Sequence, residues 1–238
     1  MTTLIDRRQT SGLDPAALGA GRYATLPQQQ RGRGALLNMP GRYEKHGKAL
    51  FDDGWQTLEE LPPLKTTVFA ETPKKIITTN DSPDISFTQS INPYRGCEHG
   101  CTYCYARPTH AYMGLSPGLD FESKLFAKTN GAQLLRGELS NPNYEPMTIA
   151  LGANTDPYQP IEREYRITRQ ILEVLSEFNH PVGIVTKSAL IVRDIDILAR
   201  MAKRNLAKVA LSVTTLDPKL ARTMEPRAST PPRRLEAL

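Results

Sequence analysis

From about residue 85 onward, short apolar runs alternate with amphipathic helical stretches, and no other feature constrains the fold of this chain as much. Strand patterns fall at residues 86–92, 147–151, 181–186 and 209–213, and residues 120–128 carry a shorter, ambiguous strand-like alternation. Between them, helical periodicity covers residues 132–139, 162–178 and 191–203. In the second of these, Ile167, Ile171, Leu172, Leu175 and Phe178 share one face. A last helix opens at Ser229-Thr230-Pro231-Pro232, with Thr230 as N-cap and proline in the first turn. Strands and helices that alternate at this spacing predict an α/β fold with a mostly parallel sheet.

Polar residues gather just after the strands: Cys97, then Asn154-Thr155-Asp156, then Thr186-Lys187-Ser188, then Ser212 with Thr214-Thr215. Singly, most of these are ordinary turn and cap residues. Their recurrence after each strand places them together, because a parallel α/β sheet or barrel gathers its site at the carboxyl ends of its strands. Five strands are counted and no sixth. A final helix without a following strand leaves a sheet edge exposed, which is expected to reflect a truncated gene, an incomplete sequence or a partner that covers the edge.

Residues 1–80 read as a basic, partly disordered extension and residues 81–238 as the α/β domain. The extension is rich in Gly, Pro, Gln and Arg, with RGRGALLNMPGR at 31–42 as its most biased stretch. Phe51, Trp55, Leu58 and Leu61 have near-helical spacing that Pro62-Pro63 ends. The net charge of +5 resides entirely in residues 1–50, which hold eight Lys/Arg against three Asp/Glu. Such a leader is expected to be solvated and flexible, with non-specific phosphate contact as the alternative. No run approaches the roughly 18 apolar residues of a membrane span. The first residues match neither a signal nor a transit peptide, so the expected address is the cytoplasm.

All three cysteines of the chain lie within eight positions, in Arg95-Gly96-Cys97-Glu98-His99-Gly100-Cys101-Thr102-Tyr103-Cys104-Tyr105. An odd, tightly packed set is a poor disulfide framework and points to metal in a reducing compartment. Three thiolates on one loop can hold three corners of an iron–sulfur cube. With no fourth cysteine, one iron stays open to a small molecule. Gly96 and Gly100 allow the loop to curl. Two alternatives stand beside this: a structural zinc completed by His99 or, with better spacing, His110, and a redox pair of Cys101 and Cys104.

The C-x3-C-x2-C spacing of Cys97, Cys101 and Cys104, with Tyr103 just before the last, resembles the signature of the radical S-adenosylmethionine superfamily. The stretch from about residue 91 to 227 is similar to its spore photoproduct lyase-like branch, through NPYRGCEHGCTYCYAR, GANTDPYQPIE, TKSALIVRDIDIL and LSVTT. The resemblance implies a partial (β/α) barrel and a 4Fe-4S cluster on the three cysteines. It also implies reductive cleavage of S-adenosylmethionine to methionine and a 5′-deoxyadenosyl radical. It assigns Tyr103 to the adenine, Thr155 and Asp156 to the methionine amino end, Lys187 to the carboxylate and Ser212 to a nearby hydroxyl contact. An electron donor of the flavodoxin or ferredoxin kind is expected with it, and a partial barrel open on one side suits a bulky substrate, with nucleic acid a candidate. The chain departs from the branch at Asn154, where the DNA-repair lyases carry a hydrogen-donating cysteine. The rival readings are a zinc-stabilised nucleic-acid-binding module and a cluster-binding fragment without turnover.

Overall fold

The computed structural model describes residues 3–5, 23–45, 47–49 and 64–238. The segment from Phe51 to Pro63, with its near-helical spacing and double proline, lies outside the described residues. The strands are β1 (Thr3–Ile5), β2 (Gly47–Ala49), β3 (Thr67–Glu71), β4 (Ile77–Thr79), β5 (Gln89–Ile91), β6 (Tyr94–Arg95), β7 (Lys124–Lys128), β8 (Ile149–Leu151), β9 (Val182–Thr186) and β10 (Ala207–Leu211). The helices are α1 (Pro27–Gln30), α2 (Leu119–Ser123), α3 (Gly131–Leu139), α4 (Glu162–Tyr165), α5 (Ile167–Glu177), α6 (Ile195–Ala202), α7 (Pro218–Met224) and α8 (Pro231–Ala237), with 3-10 turns at Arg107–Met113 and Ala189–Asp194.

The main sheet runs β10-β9-β8-β5-β4. Its inner strands are parallel, with Ile91 beside Leu151, Leu151 beside Ile184, and Thr186 beside Leu211. Only β4, at one edge, runs antiparallel. A second sheet, β3-β7-β6, pairs β3 and β7 in parallel. Among the described residues the strands form this open α/β arrangement and not a closed barrel. The ambiguous 120–128 stretch divides into a helical turn and a strand, because Phe121 is buried with the cysteine loop whereas Leu125 and Ala127 alternate into the main core.

The core lies between the sheet and its helices. Ile91, Ile149, Leu151, Val182 and Ile184 from the strands meet Ile167, Ile171, Leu172 and Leu175 of α5. The 162–178 helix departs from its sequence pattern, since Arg166 takes a left-handed φ of 52° and divides it into α4 and α5. The cause is Glu162, whose buried carboxylate turns back to accept the Thr168 N–H at 3.0 Å and the Arg169 N–H at 3.3 Å, capping the new helix. The 191–203 helix likewise opens as a 3-10 turn, with the Ser188 hydroxyl accepting the Leu190 N–H, before α6 begins. Thr230 takes the N-cap position of α8 with extended backbone, and the prolines fill the first turn, but its side chain makes no cap hydrogen bond. α7 carries no periodic signal in the sequence; Asp217 caps it by accepting the Lys219 and Leu220 N–H groups.

The structure corrects the solvated reading of the leader over its described part. Arg33 and Ala35 are buried, and the Arg33 guanidinium donates to the Glu122 carbonyl at 2.6 Å and the Thr66 hydroxyl at 2.9 Å. Residues 67–71 and 77–79, which the sequence reading placed in the extension, supply strands to the two sheets.

Candidate active site at the ends of the parallel strands

The cysteine loop leaves β6 and is held from every side by backbone bonds. The Cys97 N–H donates to Phe121 O at 3.0 Å, the Thr102 N–H to Met224 O at 3.0 Å, and the Arg227 N–H to His99 O at 3.2 Å. Gln159, fully buried, binds the loop twice: its amide oxygen accepts from the Glu98 N–H and its amide nitrogen donates to Gly96 O. Arg107 donates to Cys101 O at 2.8 Å while paired at 2.6 Å with the buried Glu122. Gly96 and Gly100 take φ of 73° and 67°, so the curl of the loop depends on both.

This loop forms one wall of a cavity of about 230 Å³, lined by Cys97, Cys101 and Cys104 together with Tyr103, Lys187 and Ser212. The opposite walls come from the end of β8, through Gly152, Asn154 and Asp156, of β9, through Thr186, and of β10, through Ser212. Residues more than a hundred positions apart thus meet where a parallel sheet gathers its chemistry.

Lys187 donates to the Ser212 hydroxyl at 2.6 Å, pairs with Glu225 at 3.5 Å, and sits 5.8 Å from the centre of the Tyr103 ring. The Tyr103 hydroxyl donates to the same Glu225 carboxylate, which also accepts from Thr214 at 2.6 Å and Arg234 at 2.5 Å. Burial alone would raise the Glu225 carboxyl, but the bonds from Thr214, Tyr103 and Arg234 hold it below the ordinary carboxylate range. It remains an anion beneath the Lys187 ammonium.

Asp156 lines the cavity and ties its walls together. One oxygen accepts from Thr186 at 2.6 Å and the Tyr158 N–H at 2.9 Å; the other accepts the Lys187 N–H at 2.7 Å and faces His99 at 3.3 Å. Burial would raise this carboxyl too, and the His99 ring with the bonds from Thr186 and Lys187 overcomes it and lowers it. Thr155 stands apart from the other candidates: it is buried, its hydroxyl donates to Tyr94 O at 2.9 Å, and it is not among the lining residues.

Burial, with the Asp156 charge beside it, pushes the Cys97 thiol well up. Burial and Glu225 push the Cys101 thiol up to about 12. Desolvated thiols beside anions favour either a proton or a cationic metal. Among the described residues no three His, Cys, Asp or Glu side chains converge on the position of a single ion, yet all three thiols face one cavity. That donor set fits a polynuclear iron–sulfur group better than one zinc ion. Of the histidines offered for a zinc site, His99 faces Asp156, whereas His110, packed edge-on against Phe121, gives one ring nitrogen to the Lys124 carbonyl at 2.9 Å and keeps its buried Nδ1 without a partner.

The sequence reading missed Glu225, Arg234, Gln159 and Asn92, whose side-chain oxygen accepts the Asn154 N–H at 2.9 Å. Asn92 and Gln159 lie within the motifs quoted for the family, NPYRG and DPYQP, and that position is their one sequence signal. Arg234 and Glu225 lie outside any periodic pattern.

An open α/β fold with three cysteines on one loop, facing a lysine and hydroxyls at the ends of parallel strands, defines a class of metal-cluster protein. The Radical SAM superfamily model matches residues 91–238, and the chain belongs to that superfamily. An uncharacterized protein of Mycobacterium tuberculosis is 42% identical over 151 residues, covering 63% of this chain and 44% of the relative. One from Methanocaldococcus jannaschii is 27% identical over 165 residues, covering 69% and 58%. Among solved structures, spore photoproduct lyase complexed with dinucleoside spore photoproduct superposes with a TM-score of 0.51 at 16% identity, covering 71% of this chain and 46% of that one. A second structure of that enzyme gives 0.50. The chain therefore spans about half the length of these relatives. No helix among the described residues is long and apolar enough to cross a membrane.

Proposed function

We propose that the chain is a radical S-adenosylmethionine enzyme that holds a 4Fe-4S cluster on Cys97, Cys101 and Cys104. In this reading it cleaves S-adenosylmethionine reductively and abstracts hydrogen from a substrate, for which nucleic acid is a candidate. The observation that carries the reading is the meeting of three thiols, Lys187 and the Ser212 and Tyr103 side chains in one cavity. When bound and reduced, such a cluster supplies the electron that breaks the sulfonium–carbon bond. The residues of this chain do the rest. Lys187 offers the cosubstrate's carboxylate a cation already oriented by Ser212. Tyr103, fixed through its hydroxyl by Glu225, presents a ring face to an adenine. The saturated Asp156 holds the β8 and β9 walls in register, and Thr155 supports the same loop from behind.

The test is anaerobic reconstitution. About four irons and four sulfides per chain are expected, most of them lost when any one of Cys97, Cys101 or Cys104 is replaced by Ala. S-adenosylmethionine should alter the electron paramagnetic resonance spectrum of the reduced protein. Lys187→Ala should weaken that binding by on the order of 1.5–3 kcal/mol, roughly tenfold or more. Stoichiometric zinc without iron uptake, or a spectrum indifferent to S-adenosylmethionine, would refute the proposal.

A further inference from the structure

The Glu225 carboxylate gathers more donors than it can serve equally. Its Oε1 faces three: the Tyr103 hydroxyl, the Thr214 hydroxyl at 2.6 Å and the Lys187 ammonium at 3.5 Å. A carboxylate oxygen offers two lone pairs, so the lysine, the most distant, is held the most loosely. Buried Arg234 takes the other oxygen at 2.5 Å. The same guanidinium donates to Ser212 O at 2.8 Å, on the residue whose hydroxyl binds Lys187 at 2.6 Å. Glu225 closes α7 and Arg234 lies in α8. The C-terminal helices thus reach beneath side chains that the strand ends and the cysteine loop supply.

Glu225 is not among the residues that line the thiol-lined cavity, yet Tyr103 and Lys187, which do line it, meet on its carboxylate. An ammonium has three donors. Ser212 takes one from Lys187, and Glu225 holds a second only at length. An anion in the cavity therefore draws Lys187 from Glu225 at little cost. Oε1 then serves Tyr103 and Thr214 alone, and the Tyr103 ring is held more firmly. The reverse follows. A flat base packed on Tyr103 fixes its hydroxyl on Oε1 and leaves Lys187 free to turn to an anion.

We infer that Glu225 is a positioning residue that links the two sides of the cavity, so that an anionic group at Lys187 and an aromatic base at Tyr103 bind cooperatively. The inference rests on the cosubstrate reading above and adds a selectivity to it: a molecule that carries both groups is favoured over either fragment. By linkage the effect is reciprocal.

The test uses the reconstituted, oxidised chain, with methionine and 5′-deoxyadenosine as separate probes in equilibrium dialysis. In the parent, saturating methionine should tighten 5′-deoxyadenosine about tenfold, and 5′-deoxyadenosine should tighten methionine by the same factor. Glu225→Met, which removes the shared acceptor, should bring the factor to about one. That change leaves buried Arg234 without its anion, so Tyr103→Phe serves as a second variant. It keeps the ring, removes one hydroxyl, and should abolish the linkage with iron content and melting temperature as in the parent. A merely structural role for Glu225 would lower both affinities and keep the factor. Linkage that persists in Tyr103→Phe, or in folded Glu225→Met, would overturn the inference and assign the effect to the direct approach of Lys187 to the Tyr103 ring at 5.8 Å. Independent binding of the two probes in the parent would overturn it as well. A parent that binds neither the probes nor S-adenosylmethionine would remove the cosubstrate reading itself, and the inference with it.

Discussion

Asn154 stands on the wall of the thiol-lined cavity, exposed, with its backbone N–H held by Asn92. A lyase that borrows a hydrogen atom must return one, and a thiol at this position does so in the DNA-repair branch the sequence resembles. An amide has no comparably weak bond. Of the tyrosines near it in sequence or space, Tyr158 is buried in the main core, and Tyr103 and Tyr105 line the cavity but have their hydroxyls bonded to Glu225 and the Ala153 carbonyl. The reduced, reconstituted chain is therefore expected to form 5′-deoxyadenosine from S-adenosylmethionine without restoring thymines in a dinucleotide photoproduct. Repeated conversion to thymine would reverse this and direct mutagenesis to Tyr103 and Tyr105. At this scale the cysteines were legible because their meaning lies in spacing within one loop. Glu225 was not, because its partners Tyr103, Lys187, Thr214 and Arg234 come from four separate segments, and only the fold brings them to one carboxylate.

At the scale of elements, the apolar period of residues 167–177 marked α5 and its buried face, since that signal is local. The break at Arg166 is not local. It depends on Glu162, which accepts from Arg193 at 2.6 Å and from the Tyr94 hydroxyl as well as from the first turn of α5. Glu162→Gln keeps the shape but removes the anion between these donors, and should cost on the order of 3 kcal/mol, as loss of one partner of a buried ion pair does. Chemical denaturation measures it; a change below about 1 kcal/mol would mean that Arg193, still paired with Asp194 at 2.7 Å, is satisfied without Glu162. β3 and β4 escaped the sequence reading for a related reason. Their residues are half-buried or exposed, so no clean alternation marks them, and pairing with β7 and β5 defines them.

At the scale of the whole molecule, the leader and the α/β body are one packed unit over the described residues 31–38. The Gly34 N–H donates to Glu122 at 2.9 Å, and the Leu119 N–H donates to Leu37 O at 3.2 Å. Gly34→Ala would drive a methyl into the Gly100 carbonyl and is expected to cost about 1–3 kcal/mol, with a matching loss of iron retained after reconstitution. Gly137→Ala, on a helix with nothing within 4 Å of the new methyl, should instead be neutral or stabilise by roughly 0.5–1 kcal/mol. Thermal melts of the two variants, read together with iron content, separate a general glycine effect from this contact. Composition alone read the stretch as a solvated basic tail, since Arg and Gly are common in such tails, and only tertiary contact shows Arg33 and Gly34 as fitted parts.

The bond from Arg33 to the Glu122 carbonyl spans 89 residues of chain. During synthesis the leader emerges first and waits for its seat, and a contact of such sequence separation closes late because the loop entropy must be met first. Until residue 122 has left the ribosome, the cysteine loop between those points lacks this clasp. Once the leader seats, its backbone at Gly34 lies directly against the loop at Gly100.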